Sequence, residues 1–206
     1  MNIFTLFSIA YKIGNDSKRE PERLVHPDGI VWKLNEKLHR EDGPAIERYN
    51  GDKEWWSRGK RHRKDGPAVE RSDGTKEWWI NGKRHRKGGP AVDRPDGTKE
   101  WWSRHMLHRE DGPAVDRPGK YQAWFINGFY HREDGPAVEY VNGDKHWWLN
   151  GERHRKDGPA VELADGKYRY YLEGHLIPNK EFEDKEFQEQ NPELYNDYLI
   201  RNIMNE

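Results

Sequence analysis

KEWWINGKRHRKGGPAV, residues 76–92, holds two adjacent tryptophans, an Asn-Gly pair, a His-Arg pair and a Gly-Pro-Ala step. The same frame returns along the chain at constant phase. His-Arg stands at His39-Arg40, His62-Arg63, His85-Arg86, His108-Arg109, His131-Arg132 and His154-Arg155, each 23 residues after the last. Gly-Pro-Ala keeps step from Gly43, Gly66, Gly89, Gly112, Gly135 and Gly158. The double aromatic does so at Trp55-Trp56, Trp78-Trp79, Trp101-Trp102, Trp124-Phe125, Trp147-Trp148 and Tyr170-Tyr171. A period held this long without an insertion marks a repeat array, and an array fixes the fold class before any local reading.

Each unit carries two turn signals. One is the Asn-Gly of Asn81-Gly82, Asn127-Gly128 and Asn150-Gly151; the other is an Asp-Gly or Asn-Gly such as Asn50-Gly51, Asp73-Gly74 or Asp165-Gly166. Asn-Gly adopts positive φ at low cost and joins antiparallel strands. The segments between are rich in Trp, Val and Ile and are cut by Gly and Pro in every unit, so they read as strands rather than helices. Two strands per unit in an antiparallel meander follow, with the Gly-Pro step bending or bulging the longer strand.

The register can be set on paper. A two-residue turn at Asn81-Gly82 places Trp79 opposite Arg84, Trp78 opposite His85 and Glu77 opposite Arg86. The preceding unit places Trp56 opposite Arg61, Trp55 opposite His62 and Glu54 opposite Arg63. A three-residue loop ending in Gly74 sets Glu70 opposite Lys76. Cation–aromatic and opposite-charge pairs of this kind contribute ~0.2–1 kcal/mol each. Neighbouring units should lie about 10 Å apart, two strand spacings, with identical residues in rows.

Composition excludes a thick core: 33% of the 206 residues are hydrophobic and 35% charged. Ten tryptophans and nearly balanced charge, 36 basic against 37 acidic, argue equally against disorder. A thin sheet covered by rings and long polar stems satisfies both. A net charge of -1 gives no overall attraction to nucleic acid or anionic membrane. The absence of cysteine rules out disulfides and thiolate chemistry and fits a cytoplasmic setting. The apolar opening, residues 1–13, is too short to span a bilayer and lacks the basic flank of a signal peptide, so it reads as a cap on the array.

The frame DGTKEWWINGKRHRKGGPA, residues 73–91, resembles the MORN repeat: an aromatic strand, a glycine turn, Lys-Arg-His, then Gly-Pro and an extended run. The His-Arg-x-Asp-Gly-Pro-Ala variant is most similar to repeat proteins of large DNA viruses and bacteriophages. The resemblance covers residues 24–177. It implies stacked hairpins in an elongated, twisted single-layer sheet. It also implies scaffold, dimerisation or lipid-binding roles, and a viral or phage factor acting on a host protein. Trp stands here where the family has Tyr-x-Gly.

Several motifs invite chemistry and fail to support it. One histidine per unit, about 10 Å from the next, cannot converge on a metal whose ligand bonds are ~2 Å, so no metal or other cofactor is expected. Arg40, Arg63, Arg86, Arg109, Arg132 and Arg155 could form an anion stripe, but the paper register neutralises the row with Glu54, Glu77 and Glu100. His-Arg-Lys-Asp is superficially like a kinase catalytic loop, yet six copies without the other kinase elements argue against a unique base. Asp42, Asp65, Asp111, Asp134 and Asp157 read instead as turn-forming residues before Gly, with Gly88 in the equivalent slot of one unit. The expectation is a non-enzymatic protein.

Departures from the repeat carry the functional reading. The slots after the Asn-Gly turn are Lys60-Arg61, Lys83-Arg84 and Glu152-Arg153, but Met106-Leu107 and Phe129-Tyr130 in two adjacent units. Met106 and Phe129 share one face; Leu107, opposite Trp102, and Tyr130, opposite Phe125, share the other. Arg104-His105 replaces the turn, and the next Asp-Gly turn is rewritten up to Tyr121. Trp102, Met106, Leu107, Tyr121, Phe125, Phe129 and Tyr130 are therefore the candidate contacts for another protein, a host component or a homodimer mate. The alternative is a small anionic or aromatic ligand, a nucleotide, sugar or lipid headgroup. It would be held between rings and guanidinium groups at Trp56, Arg61, Trp79, Arg84, Trp148 and Arg153.

Beyond residue 177 the frame stops, with Ile177 in the His slot and Pro178 in the Arg slot. Residues 178–206 read as one or two short amphipathic helices, the second starting at Pro192, that protect the open end. The full expectation is an all-β, elongated single-layer meander of 23-residue hairpins over 24–177, with an N-terminal cap over 1–23 and a helical cap at the C-terminus.

Overall fold

The computed structural model describes residues 20–203; of the cap expected over 1–23, residues 1–19 lie outside the described residues, and the first sheet strand already begins at Glu22. Among those described, a 16-stranded antiparallel meander runs the length of the array. It opens with the hairpin Glu22–His26 and Gly29–Leu34, and each later unit adds two short strands, as in Val69–Glu70 with Lys76–Glu77 and Val92–Asp93 with Lys99–Glu100. The Asp-Gly turns are three-residue loops: the Arg71 N–H donates to Thr75 O at 2.9 Å, Gly74 takes φ 90°, and Glu70 faces Lys76.

The register sorts the two faces. On one, Ile46, Glu54, Val69, Glu77, Val92, Glu100 and Val115 follow one another strand by strand. On the other, Glu47, Lys53, Glu70, Lys76, Asp93, Lys99 and Asp116 alternate in sign, so every cross-strand neighbour is an opposite charge.

The second strand of each internal unit is interrupted at the first aromatic. The Trp78 N–H donates to Ala91 O at 2.8 Å while its carbonyl accepts the His85 N–H at 3.1 Å. One residue thus faces two, and residues 86–90 are squeezed out as a bulged loop. Past Trp78 the strand resumes as Trp79–Ile80, turns through Asn81 (φ 51°) and Gly82 (φ 79°), and returns as Lys83–Arg84. These are the positive φ values a two-residue hairpin needs. Five such side hairpins stand in a row beside the long sheet among the described residues. Single backbone bonds tie the row together, such as Gly82 N–H to Arg61 O at 2.9 Å.

The core is thin and repeats with the sequence. Ala45, Ala68, Ala91, Ala114, Ala137 and Ala160 are fully buried, and Val69, Val92, Val115, Val138 and Val161 nearly so. Trp79 and Phe125, second aromatics of their units, close over this row. The predicted pairs Trp79–Arg84 and Trp56–Arg61 are present. The predicted pairs Glu77–Arg86 and Glu54–Arg63 are not. The bulge removes Arg86 from the hairpin, and Glu77 instead lies opposite Val69 and Val92.

At the C-terminus a 3-10 turn, Asn179–Glu183, leads into helices Lys185–Gln190 and Pro192–Ile203. Asp184 caps the first helix by accepting the Phe187 N–H. Phe182 and Leu194 are buried against Tyr170, and the Phe182 ring stacks on Tyr198 at 4.1 Å and 5°. Tyr170 donates its hydroxyl to Asp197 at 2.7 Å. The helices cover the ring that, in every earlier unit, an arginine loop covers.

Candidate interaction surfaces

The bulged loop explains the His-Arg-x-Asp-Gly-Pro-Ala string. Arg63 lies flat on the Trp55 ring at 4.0 Å, donates Nη1 to Pro67 O and to Glu70, and donates Nε to Asp65. The same clasp recurs at Arg40, Arg132 and Arg155. Its far side presses on the loop glycine, where a Cβ on Gly66 would come within 2.9 Å of Arg63 Cζ. These arginines are neutralised, but by the aspartate two residues on and the glutamate seven on, not by Glu54, Glu77 or Glu100 as the paper register had it. Asp42, Asp65, Asp111, Asp134 and Asp157 are therefore partners of the clasp rather than turn formers. The Asx turns are made by the side chains of Asn50, Asp73, Asp96, Asn142 and Asp165, each accepting the backbone N–H two residues on.

Five of the six repeat histidines tie their unit to the next one. His62 Nδ1 accepts the N–H of Asn81 at 3.1 Å, and His39, His108, His131 and His154 do the same for Arg58, Asn127, Asn150 and Glu173. His85 is the exception. The turn facing it is Arg104-His105, and its Nδ1 is buried without a hydrogen-bond partner. His105 sits at φ 76° with its ring between Trp79 and Trp102, 5.9 Å from each. We expect His105→Gly to relieve the left-handed strain, ~1 kcal/mol, while losing both ring contacts. Midpoints of thermal unfolding for His105→Gly and His105→Asn separate the two terms.

On the opposite face, rings and guanidinium groups interleave. Arg61 lies between Trp56 and Trp79 at 5.1 and 5.3 Å, and Arg84 between Trp79 and Trp102 at 5.0 and 5.3 Å. Glu54 and Glu77 complete the ladder by accepting from the indole N–H of Trp56 and Trp79 and from Arg61 and Arg84. Of the alternative ligand set, Trp56, Arg61, Trp79 and Arg84 thus partner one another and Glu54 and Glu77. Trp148 and Arg153 form a pair at 5.1 Å without such a glutamate, because His146 stands in its place.

The central departures divide between inside and outside. Leu107, Tyr121 and Tyr130 pack against a buried cluster that includes Phe125, Val115 and Val138. Phe125 and Tyr130 rings are 4.2 Å apart, and burial pushes the Tyr130 phenol above its ordinary value. Trp102 is half-buried beside Arg84 and His105. Met106 and Phe129 alone among the expected contacts are exposed, by 42% and 59%. They lie over the turn of the next unit, with Phe129 so close to Gly151 that a Cβ there would come within 2.9 Å. Ser103 and Ile126, their cross-strand partners, share their face.

Charge placement sets an acid response. Burial, with Arg153 adding to it, holds the His146 imidazole below its ordinary 6.5. The unfolded chain therefore binds this proton first, and stability should decline as pH falls from 6.5. Hydrogen bonds from Arg40, Arg109 and Arg132 lower Asp42, Asp111 and Asp134, and backbone N–H groups of Ser72 and Ala164 lower Asp52 and Asp144. Their contribution is present above the ordinary 3.8 and is lost below it. Midpoints measured against pH should show both declines, and His146→Gln should erase the first alone.

Among the described residues no three His, Asp or Glu side chains converge as a metal site, and no helix is long and apolar enough to cross a membrane. Neither a scan against protein-family models nor a search of curated proteins gives a match to this chain.

Proposed function

We propose that the protein is a non-enzymatic repeat scaffold that binds another protein through the outer face of the side-hairpin row, with Met106 and Phe129 as the apolar centre. The observation that supports this reading is a substitution in register. The slot that reads Lys37, Lys60 and Lys83 becomes Met106 and Phe129 in adjacent units, then Glu152. Leu107 and Tyr130, next to them in sequence, are used for packing. Met106 and Phe129 rest on the next turn yet stay exposed, and exposed side chains of this size rimmed by charge are what a partner buries. Lysines on one side and a glutamate on the other give the surface a direction, so a partner with acidic groups at one end and basic groups at the other fits it. A host protein is the partner class that the sequence resemblance suggests.

Met106→Lys with Phe129→Lys restores the repeat consensus at two exposed positions. The double variant should keep native tryptophan fluorescence and its unfolding midpoint. It should lose at least tenfold in capture of the partner identified by affinity purification and mass spectrometry. Undiminished capture rejects the surface.

A further inference from the structure

A single carboxylate position, followed along the array, changes chemistry midway. Glu54, Glu77 and Glu100 occupy equivalent places in successive units, alternating with Ile46, Val69, Val92 and Val115 across the sheet. Each carboxylate is clamped. Glu77 takes the Trp79 indole N–H at 3.0 Å and Arg84 Nε at 3.3 Å, with Arg71 at 3.7 Å on its other side. Glu100 takes the Trp102 indole N–H at 3.0 Å and Arg94 at 2.7 Å. In the next two units the position is held by Ala123 and His146, which flank Val138 in the same row.

The donors stay after the acceptors are gone. Arg117 corresponds to Arg94, and Arg153 and Trp148 correspond to Arg84 and Trp79. Arg117 Nε, Arg153 Nε and Trp148 Nε1 are three of the four buried side-chain polar atoms without a hydrogen-bond partner among the described residues. Orphaned buried donors forfeit their hydration without replacement and call for an explanation. Hydroxyls gather at the same place. Tyr121 and Tyr140 rings are 5.7 Å apart, Tyr140 is 5.5 Å from His146, and Tyr130 is 5.4 Å from Trp148. The Arg117 guanidinium is 5.3 Å from the Tyr121 ring.

We propose that the face over Ala123 and His146 binds a small oxyanion, a carboxylate or phosphate, held by Arg117, Arg153 and the Trp148 indole N–H and bordered by the hydroxyls of Tyr130 and Tyr140. The array itself supplies the template: Trp79 and Arg84, the counterparts of Trp148 and Arg153 three units earlier, hold Glu77, and Arg94, the counterpart of Arg117 one unit earlier, holds Glu100. Here the charge comes from outside. The site lies on the face opposite Met106 and Phe129, so it is independent of the protein-binding surface. Neither Arg117 nor Arg153 has a carboxylate partner among the described residues, Arg153 Nη1 reaching only the Tyr171 hydroxyl at 3.4 Å, and a guanidinium group gives an oxyanion charge-assisted bonds of the stronger kind.

His146→Glu and Ala123→Glu rebuild the internal carboxylates and supply the test. Unfolding midpoints are measured in sodium phosphate and sodium acetate against sodium chloride of equal ionic strength. The wild type should rise by ~2–4 °C in phosphate or acetate as the site fills. The double variant should start higher in chloride and gain less from either anion. Phosphate raising both proteins equally is surface exclusion and overturns the proposal, as does a wild type that responds to neither. A second readout does not depend on the variant. In 15N-labelled wild type, the Trp148 indole resonance should move saturably with phosphate or acetate, while that of Trp79, whose partner is Glu77, stays still. A Trp148 resonance that does not move overturns the site.

Discussion

Arg63→Ala should destabilise the array by about 2–3 kcal/mol, whereas Arg86→Ala should cost about 1 kcal/mol less. Both arginines stack on a tryptophan, at 4.0 Å for Trp55 and 3.8 Å for Trp78, and both donate to a proline carbonyl across the bulged loop. Arg63 also meets Asp65 and Glu70. Among the described residues Arg86 has no such carboxylate partners, because Gly88 and Asp93 stand in those slots. The exposed aspartate adds little, so the difference isolates the half-buried Glu70 contact. Urea midpoints with unchanged slope give the comparison. Equal losses would mean that stacking and the carbonyl bond stabilise the loop without help from the carboxylates. Gly66→Ala should act in the same direction as Arg63→Ala, since the added methyl must push the guanidinium off its ring.

The second large effect is expected at the C-terminal cap. Phe182 is 1% exposed and touches the rings of Tyr170, Phe187 and Tyr198 at 4.9, 5.4 and 4.1 Å. Phe182→Ala removes all three contacts at a cost of ~3–5 kcal/mol. In an array where each unit touches only its neighbours, the loss should stay local. Hydrogen exchange should speed up in the hairpin Tyr168–Leu172 with His175–Ile177 and leave Trp56–Ser57 with Lys60–Arg61 protected. Uniform acceleration along the chain would contradict it and make the array one cooperative block.

What the sequence could disclose follows the range of the forces involved. Period, turn chemistry and the side-hairpin register are local, so Trp79–Arg84 and Glu70–Lys76 could be paired on paper. The start of the last helix at Pro192 was legible for the same reason. The bulge at Trp78 was visible only as a Gly-Pro signal. Counting opposite residues straight through it misplaced Arg86 and Glu77, and with them the role of the aspartates before Gly. The histidine link spans two units and runs to a backbone N–H, which has no side-chain signature. Among the candidate contacts, the residue types at Met106, Leu107, Phe129 and Tyr130 marked the anomaly, and alternation placed them on the correct faces. Substitution of Glu by Ala123 and His146 was equally open to inspection. Its meaning was not, because it depends on knowing that Glu77 sits between an indole and two guanidinium groups.

The histidine bonds also run one way, from every repeat histidine but His85 to a turn 19 residues further along. During synthesis on the ribosome, no unit can finish its own contacts until the following one has emerged. The nascent chain should therefore acquire structure behind the exit tunnel with a constant lag. A stalled translation product would always expose one unsealed edge, ready to pair with a neighbouring polysome's copy.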